Sequence, residues 1–204
     1  MIGIFGGTFD PPHQGHIRLA EQALEQLALD EVQFLPCGNP VHRAQPLASV
    51  QHRLQMLALL IDGHAGFAIN TVETDRGGPS YMVDSLRQLR AGESSVSYCL
   101  MLGVDAFNAI QHWKSPEEIL ALANLVVCRR PGIELDRDIY PSKHISSLAT
   151  LKSKRCGYIL PLDIEENPCS STQVRAQLAS RESVETCLSP TIIDYIHQHH
   201  LYET

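Results

Sequence analysis

No apolar stretch of this 204-residue chain approaches the roughly 20 residues that a membrane-spanning helix needs. Its first residues lack the charged region and apolar segment of a secretory signal, so a cytoplasmic location is expected. Basic residues are also scarce: 16 Lys and Arg against 23 Asp and Glu leave a formal charge of -7. That balance speaks against a nucleic-acid partner, because a phosphate-backbone binder shows a basic face. None of the six cysteines, at 37, 99, 128, 156, 169 and 187, forms a C-x-x-C pair, and neither a zinc site nor a redox dithiol is expected. Cys99 and Cys128 lie in apolar runs and read as buried small hydrophobes. Aromatic residues are only 6% of the chain and include a single tryptophan, Trp113. What remains is an ordinary globular composition, long enough for one domain over residues 1–204 with its own core.

Short β-type runs at Ile2–Phe5, Val32–Pro36, Ala68–Val72, Val96–Leu102, Leu125–Arg129 and Tyr158–Leu162 alternate with helical spacings. The helical patterns cover Ile17–Leu29, Val50–Ile61, Tyr81–Leu89 and Pro116–Leu122. Alternation of this kind predicts an α/β fold: a single-domain, Rossmann-like, doubly wound parallel sheet with helices on both faces. Its ligand crevice should open at the carboxyl ends of the strands. Residues 132–156 are polar and weakly periodic, which reads as an excursion without regular core, and 170–204 read as a helical part. Lys152-Ser153-Lys154 reads as a solvated charge run, and His197 to His200 as the end of the last helix.

Chemistry concentrates just after the strands. Gly6-Gly7-Thr8-Phe9-Asp10-Pro11-Pro12-His13-Gln14-Gly15-His16 follows the first. Its glycines allow close backbone approach, and the next helix begins with unpaired N–H groups. His13 and His16, three apart, can both donate to an anion there, so the turn reads as a phosphate site. Later, Cys169-Ser170-Ser171-Thr172-Gln173-Val174-Arg175 opens a second helix, with Ser170 and Gln173 at capping-box spacing. Taken alone it is a well-capped helix start.

The ten residues from Gly7 to His16 resemble the signature of the nucleotidyltransferases with an HxGH motif, and among them the bacterial nicotinate mononucleotide adenylyltransferases. The string 169–175 is similar to that family's second signature, Ile-Ser-Ser-Thr-x-Ile-Arg, with Cys169 in place of isoleucine and Val174 a mild change. The resemblance implies transfer of the adenylyl group of ATP to nicotinate mononucleotide, giving nicotinate adenine dinucleotide and pyrophosphate in NAD biosynthesis. It implies His13, His16 and Arg175 as catalytic donors. Gly6, Gly7, Thr8, Phe9, His16, Asp105, Ser171, Thr172 and Arg175 would hold ATP. Thr8, His42, Arg43, Ser80, Tyr81, Trp113 and Arg129 would hold the mononucleotide.

Several acceptor matches carry departures. Asn39-Pro40-Val41-His42-Arg43 resembles an Asn-Pro-Pro-His-Lys loop with Val41 replacing a proline. Pro79-Ser80-Tyr81 matches the helix start whose amides hold the pyridine carboxylate, but Met82 and Ser85 stand where threonines are usual. Trp113 matches the residue that stacks on the pyridine ring, and Asp105 the acid near the ribose. Singly, Trp113 also suits packing, Asp105 a helix cap and Arg129 a strand-end charge.

The implied nucleophile is a phosphate oxygen that is largely ionised at neutral pH, its second pKa being ~6, so neither a general base nor a covalent intermediate is required. Catalysis reduces to in-line positioning and charge stabilisation, with Mg²⁺ held mainly by the ATP phosphates and no protein ligand assigned to it. Two readings stay open beside this one: another acceptor, nicotinamide mononucleotide or phosphopantetheine, and a non-catalytic nucleotide-sensing module. The chain does not fix an oligomeric state.

Overall fold

The computed structural model describes residues 1–41, 44–129, 132–165 and 167–203. Six parallel strands form one sheet: β1 (Ile2–Gly7), β2 (Glu31–Pro36), β3 (Phe67–Ile69), β4 (Tyr98–Gly103), β5 (Asn124–Arg129) and β6 (Ile159–Asp163). Their spatial order is β3-β2-β1-β4-β5-β6. The order reverses between β1 and β4, the switch point at which a crevice opens beyond the strand ends.

The strand sequences divide two cores by simple alternation. Val32, Phe34, Cys99, Met101, Val126, Cys128, Leu160 and Leu162 point to one face. There they meet α1 (Gln14–Leu27) and α2 (Val50–Ile61), together with α7 (Leu148–Lys152), α8 (Ser171–Ala179) and α9 (Pro190–Gln198). Ile4, Leu35, Leu100, Leu102, Leu125, Val127 and Ile159 point to the other, against α4 (Met82–Gly92), α5 (Val104–Asn108) and α6 (Pro116–Leu122). The short α3 (Val72–Arg76) completes the helices used below. The doubly wound architecture expected from the alternation is present, and Cys99 and Cys128 are buried as expected.

Two expectations need correction, and one covalent link was not anticipated. The third strand ends at Ile69 and not at Val72, because the Asn70 carboxamide accepts the Val72 N–H at 3.1 Å and turns the chain into α3. Residues 132–156 are not without regular core: Ser147 caps α7 by accepting the Thr150 N–H, and Ile139 and Leu151 are buried. Leu148 and Leu151, one helical turn apart, are the apolar pair in that polar context. Finally, Cys169 and Cys187 form a disulfide, with Cα atoms 5.5 Å apart. They are 18 residues apart in sequence, a separation that inspection for C-x-x-C pairs does not test.

The two-core arrangement makes a central strand costly to truncate. Leu100→Ala, in β4 with both neighbours paired, should lower unfolding free energy by about 2–5 kcal/mol with an unchanged denaturant slope. Urea titration checks this, and a loss under about 1 kcal/mol would contradict the packing described.

Candidate active site

At the carboxyl end of β1 the chain makes a tight turn. Phe9 adopts φ +50°, which is rare for a bulky residue and characteristic of sites that hold a demanding geometry. Its ring turns inward, 1% exposed, against Phe5, Phe34 and the His16 ring. Any contact of Phe9 with a nucleotide is therefore limited to its backbone. Gly7 is required by the same turn, since a Cβ there would fall 2.9 Å from the Phe9 ring. Gly15 is similarly enclosed, with the His13 ring 3.0 Å and the Asn167 side chain 3.2 Å from a would-be Cβ.

The two histidines open α1 together. His13 is the N-cap residue, and its backbone N–H donates to His16 Nδ1 at 3.0 Å, while the rings stack with centroids 3.7 Å apart. With Nδ1 engaged as acceptor, His16 carries its ring proton on Nε2, which makes that atom the donor. Backbone geometry thus fixes the tautomer.

The second motif closes on the first. Ser170 caps α8 by accepting the Gln173 N–H at 3.2 Å, as its spacing predicts. From the first turns of α8, Ser171 Oγ donates to the Pro11 carbonyl at 2.8 Å, and Arg175 Nη1 donates to the Asp10 carbonyl at 2.6 Å. Arg175 Nη2 also reaches Thr172 Oγ1 at 3.4 Å. Two segments about 160 residues apart in the chain thus share one set of hydrogen bonds, bringing two helix N-termini, two imidazoles and a guanidinium to the end of β1.

Beside them lies a cavity of about 390 Å³. Gly6, Gly7 and Thr8 line it from the first motif, Asp105 from the start of α5, and Ser80, Tyr81 and Trp113 from the opposite wall. Ser80 Oγ accepts the Gly38 and Asn39 N–H groups at 3.1 and 3.0 Å, tying the loop after β2 to the start of α4. A larger cleft between Leu178 and Glu203, about 660 Å³, contains none of the motif residues.

Not every expected residue converges. Arg129 does not line the cavity and pairs with Asp163, Nη2 to Oδ2 at 2.6 Å. His42 and Arg43 lie outside the described residues. Conversely, the cavity wall includes Cys37, Glu73 and Lys114, which carry no motif signal, and Met82, which stands where a threonine is usual. Burial pushes the Cys37 thiol up, so it faces the cavity as a neutral group. The Lys114 ammonium lies 4.5 Å from the Tyr81 ring centroid and bonds Asp84 at 2.8 Å, holding that carboxyl below its usual range. Among the described residues no group of three or more His, Cys, Asp or Glu could hold a metal ion. No helix among them is long and apolar enough to cross a membrane.

A glycine- and histidine-bearing turn at the switch point of a β3-β2-β1-β4-β5-β6 sheet, hydrogen-bonded to a second capped helix start, is the arrangement of a nucleotidyltransferase. The chain belongs to the cytidylyltransferase-like family, which it matches over residues 4–177, and within it to the nicotinate-nucleotide adenylyltransferases. A relative in Methylococcus capsulatus, named "Probable nicotinate-nucleotide adenylyltransferase", is 38% identical over 99% of both chains. One in Hydrogenovibrio crunogenus with the same name is also 38% identical, over all of this chain and 98% of that one. The solved nicotinic acid mononucleotide adenylyltransferase of Plasmodium falciparum, complexed with NaAD, superposes with a TM-score of 0.79 over 98% of this chain and 96% of that one. At 18% identity this last likeness is one of fold.

The fixed His16 tautomer generates a direct expectation. His16→Ala should lower kcat at least about a hundredfold, the scale for losing one preorganised donor to transition-state charge, with a smaller change in ATP affinity. Steady-state kinetics decides it, and near-normal kcat would remove His16 from the chemistry.

Proposed function

We propose that this protein transfers the adenylyl group of ATP to nicotinate mononucleotide, forming nicotinate adenine dinucleotide and pyrophosphate. The observation that carries this reading is the closure of Ser171 and Arg175 onto the His13/His16 turn, next to a cavity walled by Trp113 and the Ser80-Tyr81 helix start. The names of full-length relatives at 38% identity support it.

In this reading the triphosphate lies across the N-termini of α1 and α8. A phosphate oxygen of the mononucleotide attacks the α-phosphorus of ATP, and the bond from that phosphorus to the bridging oxygen breaks, so pyrophosphate leaves with the electron pair. The attacking oxygen is already ionised, so the protein removes no proton. His16 Nε2–H and the Arg175 guanidinium neutralise charge on the transferring and leaving oxygens, and His13, whose ring stacks on His16, flanks the same charge. Thr8, Gly6 and Gly7 approach through backbone, Asp105 accepts from ribose hydroxyls, and Ser171 and Thr172 hold the β- and γ-phosphates. His42 and Arg43 are assigned to the acceptor phosphate. Arg129, engaged with Asp163, is left without a part in acceptor binding.

Mg²⁺ is assigned to the triphosphate, the way this ion is commonly held. When bound there, it neutralises phosphate charge. A cytoplasmic setting accompanies the ATP-dependent reading.

Acceptor choice follows from electrostatics at the start of α4. Backbone amides there present positive partial charge to a carboxylate, and Trp113 offers a face to the pyridine ring. A charged hydrogen bond is worth ~1.5 to 3 kcal/mol, so kcat/KM for nicotinate mononucleotide should exceed that for the nicotinamide form at least about tenfold. Trp113→Ala should weaken both and keep most of the ratio. Equal turnover of acid and amide would sink this assignment, and phosphopantetheine turnover or nucleotide binding without product would establish the other readings. Arg175→Ala should chiefly impair ATP use and Arg43→Ala chiefly raise KM for the mononucleotide. Equal loss of the same substrate in both variants would refute that division.

A further inference from the structure

Asp10 lies inside the first motif, but its carboxylate is turned away from the cavity and is only 4% exposed. It accepts the Leu47 N–H on Oδ2 at 2.8 Å and the Ala48 N–H on Oδ1 at 3.1 Å. A third donor comes from 192 positions away: the Tyr202 hydroxyl, 2.7 Å from Oδ1. Arg53, 1% exposed, reinforces the same turn by donating Nη1 to the Thr8 carbonyl at 2.7 Å and Nε to the Ala48 carbonyl at 3.3 Å. Neither Tyr202 nor Arg53 lines the cavity, and neither belongs to a motif.

The turn is thus gripped twice. Arg175 and Ser171 take the backbone carbonyls of Asp10 and Pro11, and Tyr202 takes the Asp10 side chain. An apolar ring would fill the same buried space, so packing alone does not call for a hydroxyl. Burial and the adjacent carboxylate push the Tyr202 phenol far above its usual range, which leaves it protonated and a donor at every working pH.

We propose that Tyr202 is a positioning residue of the ATP site. Through Asp10 its hydroxyl holds the turn that presents the Asp10 carbonyl to Arg175 and leads into His13, making the segment after α9 part of the nucleotide site. This inference rests on the reading of an ATP-dependent adenylyltransferase. Without the hydroxyl, Oδ1 loses its closer donor and only the Leu47 and Ala48 N–H groups of one loop hold the carboxylate, so the end of the chain no longer fixes the turn in the register that in-line transfer needs.

The test compares the full chain with Tyr202→Phe, which keeps the ring, and with Asp10→Asn and the double variant. α,β-Methylene-ATP affinity is measured by calorimetry well below the unfolding transition, and kcat for each acceptor is measured alongside. Tyr202→Phe should weaken the analogue and lower kcat, each about tenfold, the scale of one hydrogen bond to a charged group, while the acid-to-amide ratio stays unchanged. Combined with Asp10→Asn the losses should fall well short of additive, since the two residues act through one contact. Unchanged analogue affinity and kcat, with only the melting temperature lowered, would overturn the proposal, as would fully additive losses. If the unmodified protein instead uses another acceptor, the acid-to-amide comparison fails on its own, and analogue affinity still decides the part of Tyr202.

Discussion

The hydrogen bonds that clamp the Thr8–Pro11 turn are the constraint on which the site depends. Four side chains from three distant regions, Arg53, Ser171, Arg175 and Tyr202, donate to the backbone carbonyls of Thr8, Asp10 and Pro11 and to one carboxylate in that turn. A buried carbonyl or carboxylate left without a donor costs about 1–3 kcal/mol, more when charged, so these contacts act together to select one arrangement of the chain. They explain how a bulky Phe9 can hold a positive φ: its ring is locked against Phe5 and Phe34 while the flanking carbonyls are held. The sheet supplies the platform, and the clamp supplies the aim.

That division matters because the chemistry offers little else to the protein. With an ionised phosphate as nucleophile and pyrophosphate as leaving group, rate enhancement comes from placing donors where charge develops. Donors that must reorganise on binding lose much of that advantage. His16 receives its tautomer from a backbone N–H, and Arg175 receives its orientation from a backbone carbonyl, so both are set by main-chain geometry before any substrate arrives. The disulfide from Cys169 to Cys187 adds a covalent tie beside the same elements: Cys169 precedes the α8 cap, and the Cys187 carbonyl accepts the Gln14 N–H at the start of α1.

The fold and both motif-bearing helix starts were legible because their signals are local. Short apolar runs between helical spacings marked the strands, and cap residues followed by short-spaced donors marked the helix starts. The rest was illegible for equally physical reasons. Asn70 ends β3 through a side-chain hydrogen bond that hydropathy does not register, and α7 is held by one cap and one leucine pair in polar surroundings. Arg129 carried the right charge at the right strand end, yet Asp163 on the adjacent strand takes it. Tyr202 and Arg53 were beyond reach because their partners lie far off in sequence and a single buried hydroxyl has no periodicity.

The departures of α4 from the family's pattern show the same logic at the cavity wall. Ser85 stands where a threonine is usual and keeps the hydroxyl, which donates to the buried Glu73 carboxylate at 2.7 Å while Arg76 reaches the same oxygen at 3.4 Å. What the replacement loses is a methyl group, and the polar network behind the Ser80-Tyr81 start is preserved. Met82 is a different exchange: it gives up a hydroxyl for a flexible thioether that lines the cavity, with its terminal methyl 2.9 Å from where a Gly6 Cβ would lie. The polar support of the helix start is thus retained beneath the wall while the wall itself becomes more apolar and adaptable. In the proposed reading, discrimination by the charge of the acceptor falls to the backbone amides and not to the side chain that follows them, which accords with the tie from that helix start to the loop after β2.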